Sequence, residues 1–203
     1  MKPARARKTG PRRRGESTAA AADWAETALQ LIAESGLNAV TVEALAARLG
    51  VTKGSFYWHF AGRAELLAAA LGLWEQKTAA EMAKGLEGQK DARRRLEFLL
   101  NTAEPPRTRA FLAALAAGIE DPVVKEVLRR VTAVRIGYLE SCYRELGSAP
   151  AVAKSQAVLA YAAYRGLMQL AQEAPAAMRW TDWASCPALV RQVLVPRRAG
   201  RRR

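Results

Sequence analysis

The side chains best suited to chemistry gather between Thr52 and Arg63. This stretch holds Lys53, Ser55, Tyr57 and His59, the last being the chain's single histidine. Together with Thr52 and Arg63 they supply an ammonium, hydroxyls, a phenol, an imidazole and a guanidinium. Every one of these groups can donate a hydrogen bond. Such a set suits phosphate oxygens and base edges, the acceptor surfaces of duplex DNA. It suits acid–base catalysis poorly, because one histidine leaves little beyond carboxylates for that work. Four aromatic rings, Phe56, Tyr57, Trp58 and Phe60, stand among the same residues. They are either a packed core or a surface built for contact.

Helical geometry divides the rings. With 3.6 residues per turn and Phe56 facing inward, Phe60 falls only about 40° away. Trp58 then lies at about 200° and Tyr57 at about 100°, with Ser55 and His59 at about −100° and −60°. Phe56 and Phe60 are therefore expected in the core, with Tyr57, Trp58 and Ser55 outward or sideways. The alternative packs Tyr57 and Trp58 on a neighbouring helix. On the contact reading, Lys53 and Ser55 face base edges, and Gly54 and Trp58 belong to the same DNA-facing surface. Thr52, Tyr57 and His59 donate to phosphates. Thr41 and Arg63 approach the backbone from the flanking helices, whose N-termini favour phosphate.

The elements that must hold this face are helices. Trp24, Ala28, Leu31 and Ile32 make one helical stripe, with Ser17 or Thr18 as N-cap and Gly36 as the stop. Thr41 caps a second helix with the stripe Val42, Leu45, Ala46 and Leu49, and Gly50 is its C′ residue. Thr52 caps a third, Lys53 to about Phe60, and Gly50-Val51-Thr52 joins the pair as a helix-turn-helix. A long fourth helix opens at Gly62-Arg63, carries Leu66, Leu67, Leu71 and Trp74, and runs to Gly85 or Gly88. Further helices are expected over about 91–102 and 107–117. Another starts at Asp121-Pro122 with the stripe Val123, Val127, Val131, Val134, Tyr138 and Cys142. One from 148–150 through Leu170 and one from about 182–185 to Val195 complete an all-α chain of about nine helices, with no convincing strand and no repeat.

Composition agrees. Half of the 203 residues are hydrophobic, enough for a sizeable core, and alanine abundance favours helix. No apolar run approaches a membrane span and no secretory signal pattern is present, so the expectation is a cytoplasmic protein with no membrane role. Cys142 and Cys186 are too few for a disulfide framework, and with one histidine they offer no metal site; no cofactor is expected. The net charge of +13 is carried at the ends. Of 32 basic residues, seven lie in 1–14 and five in 196–203, leaving 20 basic against 19 acidic residues between them. Basic tails favour nucleic acid or anionic membrane, unless they are merely solvated. P-loop, dinucleotide, nucleophile-elbow and zinc-protease motifs are all missing, which argues against an enzyme.

The stretch "TVEALAARLGVTKGSFYWHFAGRAELL", Thr41 to Leu67, closely resembles the TetR-like family of helix-turn-helix transcriptional regulators. Gly50, Val51, Thr52, Gly54, Ser55, Tyr57, His59 and Phe60 match the family pattern at their positions, and Arg63 stands where a Lys is usual. The resemblance covers about Ala20 to Gln76. It implies a ligand-responsive repressor that binds a palindromic double-stranded DNA operator as a homodimer. It implies a DNA-binding domain, 16–76, with its helix-turn-helix at 41–60, and an effector-binding and dimerisation domain, 77–195. The cationic ends, 1–15 and 196–203, read from charge as a disordered basic arm and tail, and the arm departs from the family in being long and arginine-rich. The last two helices would form a four-helix dimer interface, which the nearly all-apolar "AVLAYAAYRGLMQLA" supports independently; a buried central helix is the alternative. Trp74, Phe98, Phe111, Tyr138, Tyr161, Tyr164 and Met168 are the candidate lining of an effector pocket, whose character suggests an apolar small molecule. Arg135 and Arg165 would admit an anion, unless both are merely solvated. An activator or architectural DNA binder would share this fold, and a membrane-surface protein acting through its basic tails is the remoter alternative.

Overall fold

The computed structural model describes residues 19–100, 105–174 and 192–196. They form α1 (Ala21–Ser35), a 3-10 turn (Leu37–Ala39), α2 (Val42–Leu49), α3 (Lys53–Phe56), α4 (Arg63–Glu87), α5 (Ala92–Leu100), α6 (Pro106–Ala117), α7 (Pro122–Glu145) and α8 (Pro150–Glu173). The protein is all-α, and no strand occurs among the described residues. The expected basic arm, the Ser17 or Thr18 cap, the tail 197–203 and most of the last expected helix lie outside those residues. Of that last helix, 192–194 form a helical turn. The Tyr143 hydroxyl donates to its Leu194 carbonyl at 2.8 Å.

Local chemistry sets most boundaries. At the start of α1 the Asp23 carboxylate accepts from the Ala20 amide at 2.7 Å, so the N-cap position falls on Ala20. Thr41 caps α2 by accepting from the Ala44 amide at 3.2 Å. Gly50 closes α2 in the left-handed region at φ 67°, ψ 29°, and the Val51 amide reaches back to the Ala46 carbonyl at 3.0 Å. That pair of features is a Schellman ending, and it turns the chain sharply into α3. Asp121 accepts from the Val123 amide at 2.9 Å, with Pro122 in the first turn of α7.

Two apolar clusters result. The first joins Trp24, Ile32, Leu45, Phe56, Leu67 and Leu71 to Phe111, Leu115, Val124 and Val127 of α6 and α7. Each large side chain fully buried there contributes roughly 1.5–3 kcal/mol. The second joins Leu96 and Leu139, Cys142 and Tyr143 to the small faces Ala153, Ala157 and Ala160 of α8. Gly85 permits α5 to approach α4, because a Cβ there would lie 2.3 Å from the Phe98 ring. The helix α4 passes position 76 without a break, and the first cluster spans both sides of it.

The α7 stripe differs from the expected one. Val127, Val131 and Cys142 are buried, but Val134 and Tyr138 face outward at 50% and 40% exposure. The inner face instead steps from Val131 through Arg135 to Leu139 and Tyr143. Val134 and Tyr138 lie within about 20° of Val127 on the wheel, so drift does not expose them. The first half of α7 packs into the first cluster and its last turns into the second, which turns the buried face of the helix.

Candidate nucleic-acid interface and internal cavity

The helix α3 is a single turn, Lys53 to Phe56, and residues 57–59 continue as a turn rather than as helix to Phe60. Thr52 occupies the N-cap position but makes no side-chain cap bond. The inward and outward division nevertheless follows the helical spacing. Phe56 and Phe60 are buried at 0% and 5% exposure, while Tyr57 and Trp58 are 65% and 87% exposed. Phe56 meets the Trp24 ring edge-on at 5.4 Å and Phe60 at 5.5 Å. These contacts anchor the turn to α1 from below. Its upper side presents the exposed Thr52, Lys53, Gly54, Tyr57, Trp58 and His59, with Ser55 half-buried and Thr41 exposed at the start of α2. An exposed Trp beside an exposed Tyr and His is costly to leave in water without a partner. Packing of Tyr57 and Trp58 beneath a neighbouring helix, the alternative, does not occur.

Two of the expected DNA-facing cations are engaged within the chain. The Lys53 ammonium lies 2.6 Å from Glu43 in the first turn of α2. That pairing draws the Glu43 carboxyl below its usual range, chiefly through the hydrogen bond from Lys53. Arg63 turns inward: Nη2 donates to the Leu37 carbonyl at 3.0 Å, Nε to Val40 at 3.2 Å, and Nη1 to Asp121 at 3.3 Å. It therefore ties the 3-10 turn and the entry to α2 to the cap of α7. Arg48 likewise pairs with Glu34 at 2.5 Å. The outward face thus offers hydroxyls, aromatic edges and amides more than free charge. Glu43 escaped the sequence reading; its signal was an acidic residue in a first helical turn, where it is expected.

Behind this face a cavity of about 350 Å³ lies among α4 to α8. Trp74, Phe98, Tyr161 and Tyr164 line it, as expected of them. Phe111 does not; it is buried against Trp74 at 5.3 Å between ring centres. Tyr138 does not either, because it points outward. Met168 lines a second cavity instead, with Arg109 and Arg165. The sequence reading missed Lys77, Thr78, Glu81 and Met82, which continue the Trp74 face of α4 at helical spacing. It named Arg135 only as a possible anion site; the residue stands on the cavity wall one turn before Leu139.

One further surface is uncovered. Val152, Leu159 and Leu170 of α8 are 52%, 58% and 47% exposed. They share a face with Gly166, where an added Cβ would meet nothing within 4 Å. The opposite face buries Ala153, Ala157 and Ala160 against α7 and α5.

Residues 25–70 match the family model described as bacterial regulatory proteins, tetR family. Over these residues the chain is similar to the DNA-binding part of TetR-like helix-turn-helix regulators. The matched residues run from α1 through the first turns of α4, so they include the whole face just described. The HTH-type transcriptional regulator SrpR of Pseudomonas putida is 26% identical over 86 residues, which are 42% of this chain and 40% of that protein. The similarity to this curated relative thus spans less than half its length. A transcriptional regulator from Rhodococcus sp. Rha1 superposes with a TM-score of 0.67 at 25% identity, covering 87% of this chain and 92% of that one. A regulator from Saccharomonospora viridis in complex with choline shares the fold, with a TM-score of 0.64 at 20% identity over 86% of this TetR-like chain and 92% of the other. Among the described residues, no helix is long and apolar enough to cross a membrane.

Proposed function

We propose that this TetR-like protein binds a palindromic DNA operator as a homodimer, represses transcription there, and is released when a small molecule enters the α4–α8 cavity. The observation that carries the reading is the exposed Tyr57–Trp58–His59 turn, held rigid from below by Phe56 and Phe60. A rigid turn at the end of a helix-turn-helix is the shape that enters a major groove. Thr41, Thr52, Tyr57 and His59 donate to phosphates, while Lys53, Gly54 and Ser55 meet base edges and Trp58 packs against the sugar–phosphate wall. Lys53 must exchange Glu43 for DNA as it binds. Arg63 acts from within, fixing the turn before α2 rather than touching phosphate.

The uncovered α8 face is where a second copy would pack, and two-fold symmetry of that pair requires a two-fold operator. Residues 77–195 form the ligand-binding and dimerising part on this reading. The seven cations of 1–14 supply the long-range attraction that the nearly neutral body lacks. Occupation of the cavity shifts α4, whose first turn sits beside the DNA-facing turn, toward a subunit spacing that no longer fits the operator. In-vitro selection from random duplexes tests the reading. An enriched palindrome bound by two chains supports it; enrichment of no sequence, or one chain on an asymmetric site, refutes it.

A further inference from the structure

We propose that the cavity takes an amphipathic organic carboxylate, its apolar body against the aromatic wall and its carboxylate on Arg135. This rests on the reading of the cavity as a small-molecule site and names the chemistry of what fills it. Arg135 stands on the inner stripe of α7, between Val131 and Leu139, where a chain ordinarily places an apolar residue. Its guanidinium carbon lies 6.0 Å from the centre of the Tyr164 ring. Its Nε is sealed from solvent and has no hydrogen-bond acceptor among the described residues. None of the described carboxylates forms an ion pair with it, whereas neighbouring Arg130 is held by both Glu75 and Glu126.

Arg135 is half-buried, and its sealed Nε without an acceptor is unfavourable, which an oxyanion entering the cavity relieves. Guanidinium presents parallel N–H groups that match the two oxygens of a carboxylate, and rotation of its last torsions aims that fork into the space. Much of the wall is apolar or aromatic, with Trp74, Phe98, Leu112 and Tyr161 facing the same volume. Thr78 and Thr108 add hydroxyls that can support one further polar atom. Glu81 also lines the cavity, but it is solvent-exposed, and water screens its charge. Lys77 is turned to Glu26 at 2.8 Å and leaves Arg135 as the cavity's unpaired cation among the described residues.

The test is calorimetric titration of the full chain with phenylbutyrate, phenylbutanol and phenylbutylamine, which share one body and differ in charge. Phenylbutyrate should bind about tenfold or more tighter than phenylbutanol, and the amine weakest. Arg135→Gln should bring the acid to alcohol ratio close to one, and Arg135→Lys should keep part of it. Arg135→Met should melt no lower than the wild type, since it removes an uncompensated charge. Equal binding of acid and alcohol, a preference that survives Arg135→Gln, or tightest binding of the amine would overturn the proposal and leave the cavity reading standing. A large loss of stability in both Arg135→Gln and Arg135→Met would show that the guanidinium is already satisfied, which also overturns it. If none of the three probes binds, both the proposal and the cavity reading fail.

Discussion

Arg63→Ala should destabilise the fold more than it weakens DNA binding. The guanidinium is shared among Leu37, Val40 and Asp121 at 3.0, 3.2 and 3.3 Å, and the two carbonyl contacts are part-buried. A hydrogen bond from a charged donor is worth about 1.5–3 kcal/mol when shielded, and an exposed ion pair about 0–1 kcal/mol. The side chain is 41% exposed, so water screens and replaces part of this interaction. A total loss of about 1–3 kcal/mol is expected after that discount. For a chain of this size it corresponds to a fall in Tm of roughly 2–4 °C per kcal/mol. Urea and thermal unfolding would be measured beside fluorescence anisotropy on a selected duplex. A double-mutant cycle with Asp121→Ala isolates the ion pair and should return about 0.5–1 kcal/mol of coupling. An Arg63→Ala protein that unfolds at the wild-type midpoint but binds DNA tenfold more weakly would refute the inward role. The guanidinium would then belong on phosphate.

Three other perturbations probe separate parts. Gly50→Ala forces a Cβ into a left-handed turn at φ 67° and should cost about 1–2 kcal/mol by urea unfolding, with an unchanged midpoint counting against the strain. Leu159→Arg places a charge on the exposed α8 face; light scattering should show monomers with unchanged circular dichroism, and persistence of dimers would move the interface elsewhere. Glu126 is held down to about 2, first by its hydrogen bond from Arg129 and further by Arg130, against an ordinary 4.5. A depressed folded-state value means that its stabilisation is present above pH 4.5 and is lost as the pH falls toward 2. The difference in urea midpoint between wild type and Glu126→Gln should therefore shrink from pH 7 to about pH 2, and a constant difference would contradict the pairing.

Local signals were the legible ones. Thr41, Gly50 and Asp121-Pro122 act within a turn of themselves, and each ends or starts a helix where its chemistry places it. The split between Phe56 and Phe60 on one side and Tyr57 and Trp58 on the other also follows from angular spacing. It survives even though regular helix stops at Phe56, because the turn at 57–59 keeps a near-helical winding. Contacts between distant residues were not legible. Nothing near Arg63 in sequence announces Asp121, 58 residues on, or the carbonyls of Leu37 and Val40. The pairing of Lys53 with Glu43 depends on how α2 and α3 cross. Aromatic type alone did not separate cavity from core or surface: Trp74 and Tyr164 face the cavity, Phe111 packs behind, and Tyr138 faces out. Which neighbour each stretch of a long helix packs against decides that, and α7 changes from the first cluster to the second along its length.

The exposed face of the α3 turn is tested most directly by binding of Tyr57→Ala and His59→Ala to the selected duplex. Both side chains are exposed, and each only borders a buried ring, Tyr57 edge-on to Phe56 at 5.2 Å and His59 beside Phe60 at 6.4 Å. Circular dichroism should therefore be unchanged, and each substitution should cost at most about 0.5–1.5 kcal/mol of stability. Anisotropy titration at fixed salt should show each substitution weakening binding by about 1–3 kcal/mol, roughly five- to 150-fold. Wild-type affinity in both variants would contradict the assignment of this face to DNA.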